Sequence, residues 1–490
     1  MDMLKSMTGF MAANQSLVPA TSACLRLGET FTNNATFTPQ HDMYKDLVRI
    51  SWSETTWKEP ACVFMPRTAN EVQDAMSILA EEDASFGVRS GGHMPIAGAA
   101  MADNEVLIDM SRFTDIEYNS EHNKVVIGTG LRWQNVYDYL DQYGVTVVGG
   151  RVLDVGVGGL ILGCGLSYLS ESYGLACDNV VNFGVVLADG STVNANEYSH
   201  RDLFWALKGG SNNFGIVTSF TLRTYPIQKV WGGTRVIGWD RVDDFLDAMI
   251  AYETAPERDE LASVNINLAA TNDTIILTLV YLQPVENPAA FSVFDGFEPI
   301  MDTTGIKTLT ELMSEFPTPP IPRIRFHALT VKPTKELTAA IKDLMLHSPH
   351  MQTIRAATAG TCVFSWQPIS AHLVEAGRRG GSGGDDVGNA LGLEAVTQSW
   401  FHIDLLWWKA EDDAAVTAAA DALYAEVEAA ARAQGSYMPY IFMNDANEGQ
   451  DVLASYGEES VRRMREVQEH YDPHGVFGRK LAGAFKLPPA

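Results

Sequence analysis

Residues 149–165, GGRVLDVGVGGLILGCG, place seven glycines within seventeen positions and separate them with apolar side chains. A shorter glycine run, residues 89–98 (RSGGHMPIAG), precedes them by about fifty positions. Glycine allows the backbone to come within contact distance of a ligand, and it permits turns that point successive amide groups in one direction. Together the two runs predict a pair of loops that bury a long, flat cofactor carrying a diphosphate.

The glycine spacing excludes the two commonest nucleotide-binding motifs. Residues 149–165 do not show GxGxxG between a strand and a helix with an acidic residue about twenty positions later, and they lack the GxxxxGK motif of a P-loop. Neither a nicotinamide-binding Rossmann site nor a P-loop is therefore expected.

Around the glycine runs, short β-branched stretches alternate with segments of helical period, which is typical of an α+β fold. The pattern predicts strands at 105–110, 124–129, 180–187 and 216–222, and helices at 70–81 and 132–143. A second domain is predicted from residue 229, with helices at 239–255, 335–346, 412–433 and 458–470 and with strands within 263–282 and at 398–409. The glycine-rich run 377–392 is predicted to be a polar loop.

Composition and charge limit the partners. The chain has 490 residues, and 35 basic against 61 acidic side chains give a formal net charge of −26. A negative field of this size repels phosphate backbones, so nucleic acid is not an expected partner. No stretch reaches the roughly 18 to 20 apolar residues of a membrane span. Residues 1–17 lack the apolar segment of a secretory signal, so a cytoplasmic protein is expected rather than a secreted one.

The cysteines carry no recognisable metal or redox motif. The five of them have spacings unlike CxxC or any zinc pattern, so they predict neither a metal site nor a disulfide framework. They are Cys24, Cys62, Cys164, Cys177 and Cys362.

Several further motifs occur in a fixed order between about residue 60 and residue 477. They are RSGGH (89–93), VGVGGLILGCG (155–165), YGLACDNV (173–180), VVLADGS (185–191), DLFWALKGGSNNFGIVT (202–218) and FMNDANEGQD (442–451) with YDPHGVF (471–477). In these motifs the chain resembles the FAD-linked oxidoreductases of the p-cresol methylhydroxylase (PCMH) and vanillyl-alcohol oxidase type. Within that group it resembles the berberine-bridge-enzyme-like branch, particularly its fungal members.

The resemblance implies an α+β fold with a two-subdomain PCMH-type FAD-binding domain and a substrate domain whose antiparallel sheet is covered by helices. The implied divisions are an N-terminal extension packing on the FAD domain (1–55), the FAD-binding domain (56–228), the substrate-binding domain (229–440) and a C-terminal segment that returns to the FAD domain (441–490).

The resemblance also implies the cofactor and its contacts. FAD would be bonded covalently to His93, which would raise the flavin potential and anchor the cofactor. The other expected FAD-binding residues are Val88, Arg89, Ser90, Gly91, Gly92, Gly98, Val155, Gly156, Gly158, Gly159, Gly163, Asp178, Ile216, Val217 and Asn444.

Cysteines of relatives bear on this cofactor and on the N-terminus. Some relatives add a second flavin bond from a cysteine shortly before the VGxGG segment, where this chain has Val152. Cys164 falls about a dozen positions later and is interpreted as a small residue replacing glycine in a packed loop, so a single covalent link through His93 is predicted. Cys24 and Cys62 lie where some secreted relatives carry a disulfide; their spacing permits a bridge, but an intracellular protein would keep both reduced.

The catalytic base is not fixed by the sequence. Many relatives use an Asn-Tyr pair in the C-terminal motif, whereas this chain has Asn444-Asp445. Asp445 is a base if burial raises its pKa, or else it caps the following turn. By the same alignment, Gln367 and Tyr440 are expected in the substrate pocket.

Strand 398–409 supplies a second pair of candidates. Alternation places His402 and Asp404 on one face with Trp400, Leu406 and Trp408. Burying these two polar groups without partners would cost several kcal/mol, so they are expected to face a polar cavity as base and orienting residue. A solvent-facing strand edge is the alternative.

The sequence therefore predicts an oxidase that transfers hydride from a small secondary metabolite to flavin, giving alcohol oxidation or oxidative cyclisation, with dioxygen as acceptor. The alternatives are a carbohydrate oxidase and a redox-neutral isomerase or cyclase that uses His402, Asp404 or Asp445 for proton transfer. No metal and no membrane are expected as partners, and the protein is expected to be a monomer or a weak homodimer.

Overall fold

The structure is a computed structural model that describes residues 18–271, 273–315, 318–357, 361–380 and 387–488. Asn272, which lies between the strands predicted within 263–282, residues 381–386 of the glycine-rich run 377–392, and the N-terminal residues 1–17 lie outside these ranges. The rest of that run is not a polar loop, because it includes the end of a helix and the buried residues Val387, Ala390 and Leu391.

Residues up to 229 form two sheets. In the first sheet the strand order is β1-β2-β4-β3, with β2 and β3 parallel to β4; the second sheet is antiparallel with the order β5-β6-β9-β7-β8. The strands are β1 (Thr36–Phe37), β2 (Cys62–Phe64), β3 (Phe86–Arg89), β4 (Val106–Asp109), β5 (Ile116–Asn119), β6 (Lys124–Gly128), β7 (Val180–Val186), β8 (Thr192–Asn196) and β9 (Ile216–Arg223).

The same part of the chain contains seven α-helices within the described residues. They are α1 (Pro19–Thr30), α2 (Tyr44–Val48), α3 (Ala69–Glu81), α4 (Trp133–Asp141), α5 (Val157–Leu162), α6 (Ser170–Tyr173) and α7 (Arg201–Leu207). In α3 the buried residues Val72, Ala75, Met76 and Leu79 recur every three or four positions, and the Thr68 hydroxyl accepts a hydrogen bond from the Glu71 amide at the first turn. The predicted helix over 70–81 therefore forms because its apolar stripe packs against the first sheet.

The third sheet contains nine antiparallel strands in the described part of the chain. Its order is β13-β10-β12-β11-β16-β17-β15-β18, and β14 also pairs with β10. The strands are β10 (Val230–Gly238), β11 (Ala262–Ala269), β12 (Thr274–Tyr281), β13 (Met301–Asp302), β14 (Gly305–Lys307), β15 (Arg323–Val331), β16 (Thr361–Ile369), β17 (Gln398–Trp407) and β18 (Tyr437–Met438).

One face of this third sheet is covered by helices and the other faces the glycine loops. The helices of this part are α8 (Val242–Glu253), α9 (Leu309–Ser314), α10 (Lys335–His347), α11 (Pro349–Ala356), α12 (Ala371–Gly380) and α13 (Asp413–Ala433). Helices α8, α10, α11 and α13 share a buried cluster with Phe401, Ile403, Leu405 and Trp407 of β17. The alternate β17 residues His402 and Asp404 consequently point to the open face.

The C-terminal segment, with α14 (Glu458–Tyr471) and α15 (Val476–Arg479), returns to the first sheet. The Phe86 amide donates to the Lys480 carbonyl (2.9 Å), and the Ala482 amide donates to the Phe86 carbonyl (2.7 Å). A buried cluster joins Phe220 of the second sheet with Trp400 of the third sheet and Met464 of α14. The α+β fold predicted from the sequence is confirmed, and its parts share a core.

The prediction that the cysteines form no disulfide framework is wrong. Cys24 is bonded to Cys62, with their Cα atoms 5.9 Å apart, and Cys164 is bonded to Cys177, with Cα atoms 4.6 Å apart. Cys362 is a buried free thiol. The first bridge forms because α1 packs on β2, and the second because the chain turns back after α5; sequence spacing reveals neither contact. Cys164 is therefore a bridge partner and not a substitute for glycine.

No helix in the described ranges is both long enough and apolar enough to cross a membrane.

Candidate functional site

A cleft of about 610 Å³ lies between the two glycine loops and the open face of the third sheet. Its volume falls in the range of roughly 300 to 1,000 Å³ that is usual for small-molecule sites. The structure brings together along it most of the residues predicted from the sequence to bind FAD: Val88, Ser90, Gly91, Gly92, His93, Gly98, Val155, Gly156, Gly158, Gly159, Ile216, Val217 and Asn444.

The glycines are needed mainly because the two loops pack on each other. A Cβ atom added to Gly91 would lie 2.4 Å from the Cα of Gly156, so neither position accepts a larger residue. The Gly158 amide donates to the Ser90 hydroxyl (3.2 Å), which itself donates to the Thr129 carbonyl (2.7 Å). At Gly159, by contrast, no protein atom lies within 4 Å of an added Cβ. Part of the predicted second loop is helix α5, and Gly159 faces the open cleft.

His93 has the environment of a neutral imidazole. Its ring stacks on Trp52, with ring centroids 4.1 Å apart and planes inclined by 26°. The Nε2 atom is buried and has no hydrogen-bond partner among the described residues. Burial, and then the nearby positive charge of Arg132, lower the pKa of His93 to about 3. A neutral ring keeps a lone pair available for bonding at a nitrogen.

Arg89 was also expected to bind FAD, but its side chain does not line the cleft. It is paired in register with Asp109 across β3 and β4, and its Nε donates to Asp109 Oδ2 (2.8 Å). A second guanidinium nitrogen donates to the Leu47 carbonyl (2.6 Å). Both charged side chains are fully buried, so the pair belongs to the interior of the first sheet and its charges do not face the cleft.

Two further predicted FAD contacts also lie outside the cleft wall. Asp178 is buried behind it and accepts hydrogen bonds from the Leu175 amide (2.9 Å) and the Asn389 side chain (2.8 Å). Burial raises the pKa of Asp178, and the positive charge of Lys208 partly opposes this shift. Gly163 packs against the Asn444 side chain, where an added Cβ would overlap its oxygen.

The two residues predicted in the substrate pocket have different places. Tyr440 is fully buried between Trp400 (ring centroids 5.2 Å apart) and Tyr456 (5.7 Å), and this burial raises its pKa. Gln367 lies behind Asp445, and its Nε2 donates to Asp445 Oδ2 (2.7 Å) while its oxygen accepts from Arg151. Gln367 therefore orients Asp445 and does not line the main cleft.

Opposite the glycine loops, the structure brings the three predicted catalytic residues together. His402 Nδ1 lies 2.8 Å from Asp404 Oδ1, and its Nε2 lies 3.8 Å from Asp445 Oδ2. Burial disfavours the charged form of His402, but the two carboxylates outweigh it, Asp404 first, and raise the pKa of His402. The hydrogen bond to Asp404 leaves Nε2 as the nitrogen able to take a proton from a ligand.

The rest of the substrate side is largely apolar with one polar row on β11 and β12. Asn265 Oδ1 is buried and has no hydrogen-bond partner in the described ranges, whereas Asn267 Oδ1 accepts from the Ser365 hydroxyl (2.6 Å). Thr278 lies directly across from Asn265. The apolar lining includes Met94, Leu160, Leu312, Met313, Pro319 and Phe326.

Sequence reasoning missed Trp52, Arg151 and Asn265. The alternating polar residues of β11, Ser263, Asn265 and Asn267, were the available signal for Asn265, since polar positions on a strand that faces a core predict a cavity. Trp52 and Arg151 carry no such local signal, because each meets its partner across segments far apart in the sequence.

These features fit FAD. The two loops leave a glycine-lined channel into which an added Gly159 Cβ would project, and a neutral histidine with an unpaired ring nitrogen lies beside it. His93, Ser90 and the 91–92 and 155–159 backbone would hold the cofactor. Within the described residues no cluster of three or more His, Cys, Asp or Glu side chains is arranged to hold a metal ion.

The comparisons with known proteins agree. Residues 60–196 match the family described as FAD binding domain. The chain is 33% identical over 468 residues to a bifunctional solanapyrone synthase of Alternaria solani, covering 95% of this chain and 89% of that protein. It is 36% identical over 447 residues to an FAD-dependent monooxygenase of Arthrobotrys oligospora, covering 90% of this chain and 84% of that protein.

Solved structures share the fold over almost the whole chain. BBE-like 1 of Physcomitrella patens superposes with a TM-score of 0.75 at 19% identity, covering 96% of this chain and 99% of that one. A glucooligosaccharide oxidase of Acremonium strictum, described as carrying 6-S-cysteinyl, 8α-N1-histidyl FAD, superposes with a TM-score of 0.78 at 16% identity, covering 96% and 100%.

The fold and the site thus define an FAD-linked oxidoreductase. The chain belongs to the berberine-bridge-enzyme-like family of these enzymes and is similar to its fungal members.

Proposed function

We propose that the protein is an FAD-dependent oxidase that removes hydride from a small, largely apolar secondary metabolite, with the flavin attached through His93 alone and with dioxygen as electron acceptor. The observation that carries this proposal is the His402–Asp404–Asp445 cluster in the cleft wall opposite the glycine loops. A base in this position can take a proton from the substrate on the side facing the cofactor channel.

His402 is the proposed base, and Asp404 its orienting partner. When the ring is neutral, its Nδ1–H donates to Asp404 at 2.8 Å, so Nε2 carries the lone pair. Nε2 is too far from Asp445, at 3.8 Å, for a hydrogen bond. It therefore remains free to accept the proton of a substrate O–H or N–H group.

Asp445 then stabilises the charge that His402 acquires. Gln367 donates to its Oδ2, which keeps the carboxylate in place as a hydrogen-bond acceptor. We therefore assign Asp445 an electrostatic role and give the proton transfer to His402. When bound, FAD supplies the acceptor for the hydride that leaves the adjacent substrate carbon.

The cleft lining supports the substrate class. Apolar side chains such as Met313, Pro319 and Phe326 desolvate an apolar ligand, and they offer no partners to the many hydroxyl groups of an oligosaccharide. The unpartnered Asn265 Oδ1 fits a single hydrogen-bond donor on the substrate. This lining fits a metabolite with a large apolar part, whose polar groups would meet the row on β11 and β12.

The test is anaerobic mixing of the yellow enzyme with candidate metabolites while the flavin absorption is followed. The expected result is bleaching, followed by recovery of the colour and release of one H₂O₂ per product when air is admitted. Oxygen from O₂ appearing in the product without equivalent peroxide would instead identify a monooxygenase, which is the activity named for several relatives.

A redox-neutral isomerase or cyclase is the second candidate. It is favoured by the same His402–Asp404 pair, because a histidine held by a carboxylate can move protons without any electron acceptor. Turnover of substrate with an unbleached flavin, under strictly anaerobic conditions, would support this candidate and contradict the oxidase.

A further inference from the structure

Residues 51–57, which we name the bridging segment, join the flavin-attachment loop to the third sheet. The Trp52 amide donates to the Gly92 carbonyl (2.9 Å), next to His93. On the other side, the Glu54 amide donates to the Pro322 carbonyl (2.7 Å), and the Ile324 amide donates to the Ser53 hydroxyl (3.2 Å). The segment is therefore hydrogen-bonded to both walls of the cleft, through Trp52 on one side and through Ser53 and Glu54 on the other.

The Trp52 indole covers one face of the His93 ring. The two rings are stacked with centroids 4.1 Å apart, and Trp52 also contacts Phe326 of β15, with centroids 5.9 Å apart. An imidazole held against a large ring has few rotamers left and is shielded from water on that face. Among the described residues no hydrogen bond to Nε2 holds the orientation of the His93 ring, so the stack on Trp52 is its main side-chain constraint.

Ring orientation matters for bond formation at either ring nitrogen of His93. Covalent attachment needs the lone pair of one ring nitrogen to point at the flavin 8α-carbon, and misplacement by about 1 Å can cost about 100-fold in rate. Neutrality matters as well, because a protonated imidazole has no lone pair. The stack contributes to the first condition, and burial of the ring contributes to the second.

We propose that Trp52 is a positioning residue for the attachment of flavin to His93. This inference rests on the covalent link in the proposed function. In the attachment step an N–C bond forms between the imidazole and the 8α-carbon, and one methyl C–H bond and the imidazole N–H bond break. The flavin ring takes up the two electrons, and dioxygen then removes them together with the two hydrogens as H₂O₂.

The test compares Trp52→Ala, Trp52→Leu and Trp52→Phe with the wild-type holoenzyme. Covalent flavin is read as fluorescence of the denatured chain on a gel and as the mass of the His93 peptide, and total FAD is read from absorbance. We expect the Ala and Leu variants to attach flavin about tenfold more slowly during aerobic incubation with FAD while still binding it. Trp52→Phe retains a ring in the stack and should attach flavin nearly as fast as the wild type.

Trp57→Ala is the matched control. Trp57 belongs to the same segment, where its indole donates to the Ser51 carbonyl (2.9 Å), but it does not stack on His93. We expect normal attachment in this variant. An equal loss of attachment in Trp57→Ala and Trp52→Ala would overturn the role of the stack.

The remaining outcomes separate the two proposals. If all Trp52 variants attach flavin at the wild-type rate and covalent flavin is lost only in His93→Ala, the role of Trp52 is overturned. The covalent link to His93 would then still stand. Absence of covalent flavin in the wild type overturns both. If Trp52→Ala does not fold, the difference between Trp52→Leu and Trp52→Phe decides.

Discussion

His402 and Asp404 are two residues apart on β17, and their side chains meet at 2.8 Å between Nδ1 and Oδ1 on the cleft face of the strand. Residues i and i+2 of a strand share a face, so the pair is held together by the strand itself. The ring is only 13% exposed, and the charge of Asp404 therefore acts on it with little screening by solvent.

This relationship predicts a shift in the pH dependence of flavin reduction. His402 acts as a base only when neutral, and Asp404 raises its pKa, so the reduction rate should rise with pH through that raised value. Asp404→Asn removes the negative charge and lowers the pKa of His402, which moves the rise to lower pH. The plateau rate should also fall, because the ring loses its orientation. Stopped-flow anaerobic reduction by a substrate that bleaches the flavin, measured across pH, gives both quantities.

The control for this prediction is Asp421→Asn. Asp421 lies 2.8 Å from His327 Nε2, which makes the same kind of pair on the third sheet, but neither residue lines the cleft. Asp421→Asn should therefore leave the pH dependence of flavin reduction unchanged. His402→Asn should slow reduction by about 100-fold or more on the high-pH plateau and should abolish the rise with pH; reduction at the wild-type plateau rate in this variant would exclude His402 as the base.

Gly159 provides a test of cofactor placement. An added Cβ there meets no protein atom within 4 Å, so Gly159→Ala should fold normally, yet the methyl group would project into the channel assigned to FAD. We expect less bound FAD per chain, measured by absorbance after gel filtration, with a melting temperature of the flavin-free fraction that is no lower than that of the wild type.

Gly28→Ala is the corresponding control. Gly28 lies within α1 and also has open space around an added Cβ. This variant should keep its full FAD content, and the helix should gain about 0.5 to 1 kcal/mol of stability from the substitution. Normal FAD content in Gly159→Ala would place the cofactor elsewhere.

The buried ion pair of Arg89 and Asp109 predicts a loss of stability and not of FAD affinity. Arg89→Met leaves Asp109 buried without its charged partner, which should lower the free energy of unfolding by about 3 to 5 kcal/mol. Denaturant unfolding measures this change. The double variant Arg89→Met/Asp109→Leu removes both charges and should recover most of the stability. Loss of FAD binding at unchanged stability would restore Arg89 as a cofactor contact.

The sequence predicts those features of the fold and the site that are determined by residues close together in the chain. The helical period of the apolar residues predicts the helix over 70–81. Strand alternation places His402 and Asp404 on one face without any information about their neighbours in space. Motif order located the two glycine loops. These signals come from residues that are close together in the sequence, so they do not depend on tertiary contacts with the rest of the chain.

Side-chain partners from distant segments could not be predicted in this way. Arg89 lies inside a recognised motif, but its direction is set by Asp109 on the neighbouring strand, which pairs with it in register. Similarly, Arg151, Gln367 and Asp445 come from three separate segments and meet only because the C-terminal part returns to the cleft. Motifs indicate where a residue is in the chain, and packing decides which way it points.

The disulfides give the last prediction. Protein made in an oxidising compartment should show one free thiol per denatured chain, that of Cys362, and five after reduction. Both bridges persist where glutathione does not reduce them.

Cys164→Ala/Cys177→Ala opens a bridge that closes a short loop, with a sequence separation of 13. The double variant should lower the free energy of unfolding by about 3 kcal/mol, because the unfolded chain gains conformational freedom. Cys362→Ala, which leaves both bridges intact, is the control for loss of a buried cysteine. Three free thiols in the unmodified chain would mean that only one bridge forms, and peptide mapping would show which one.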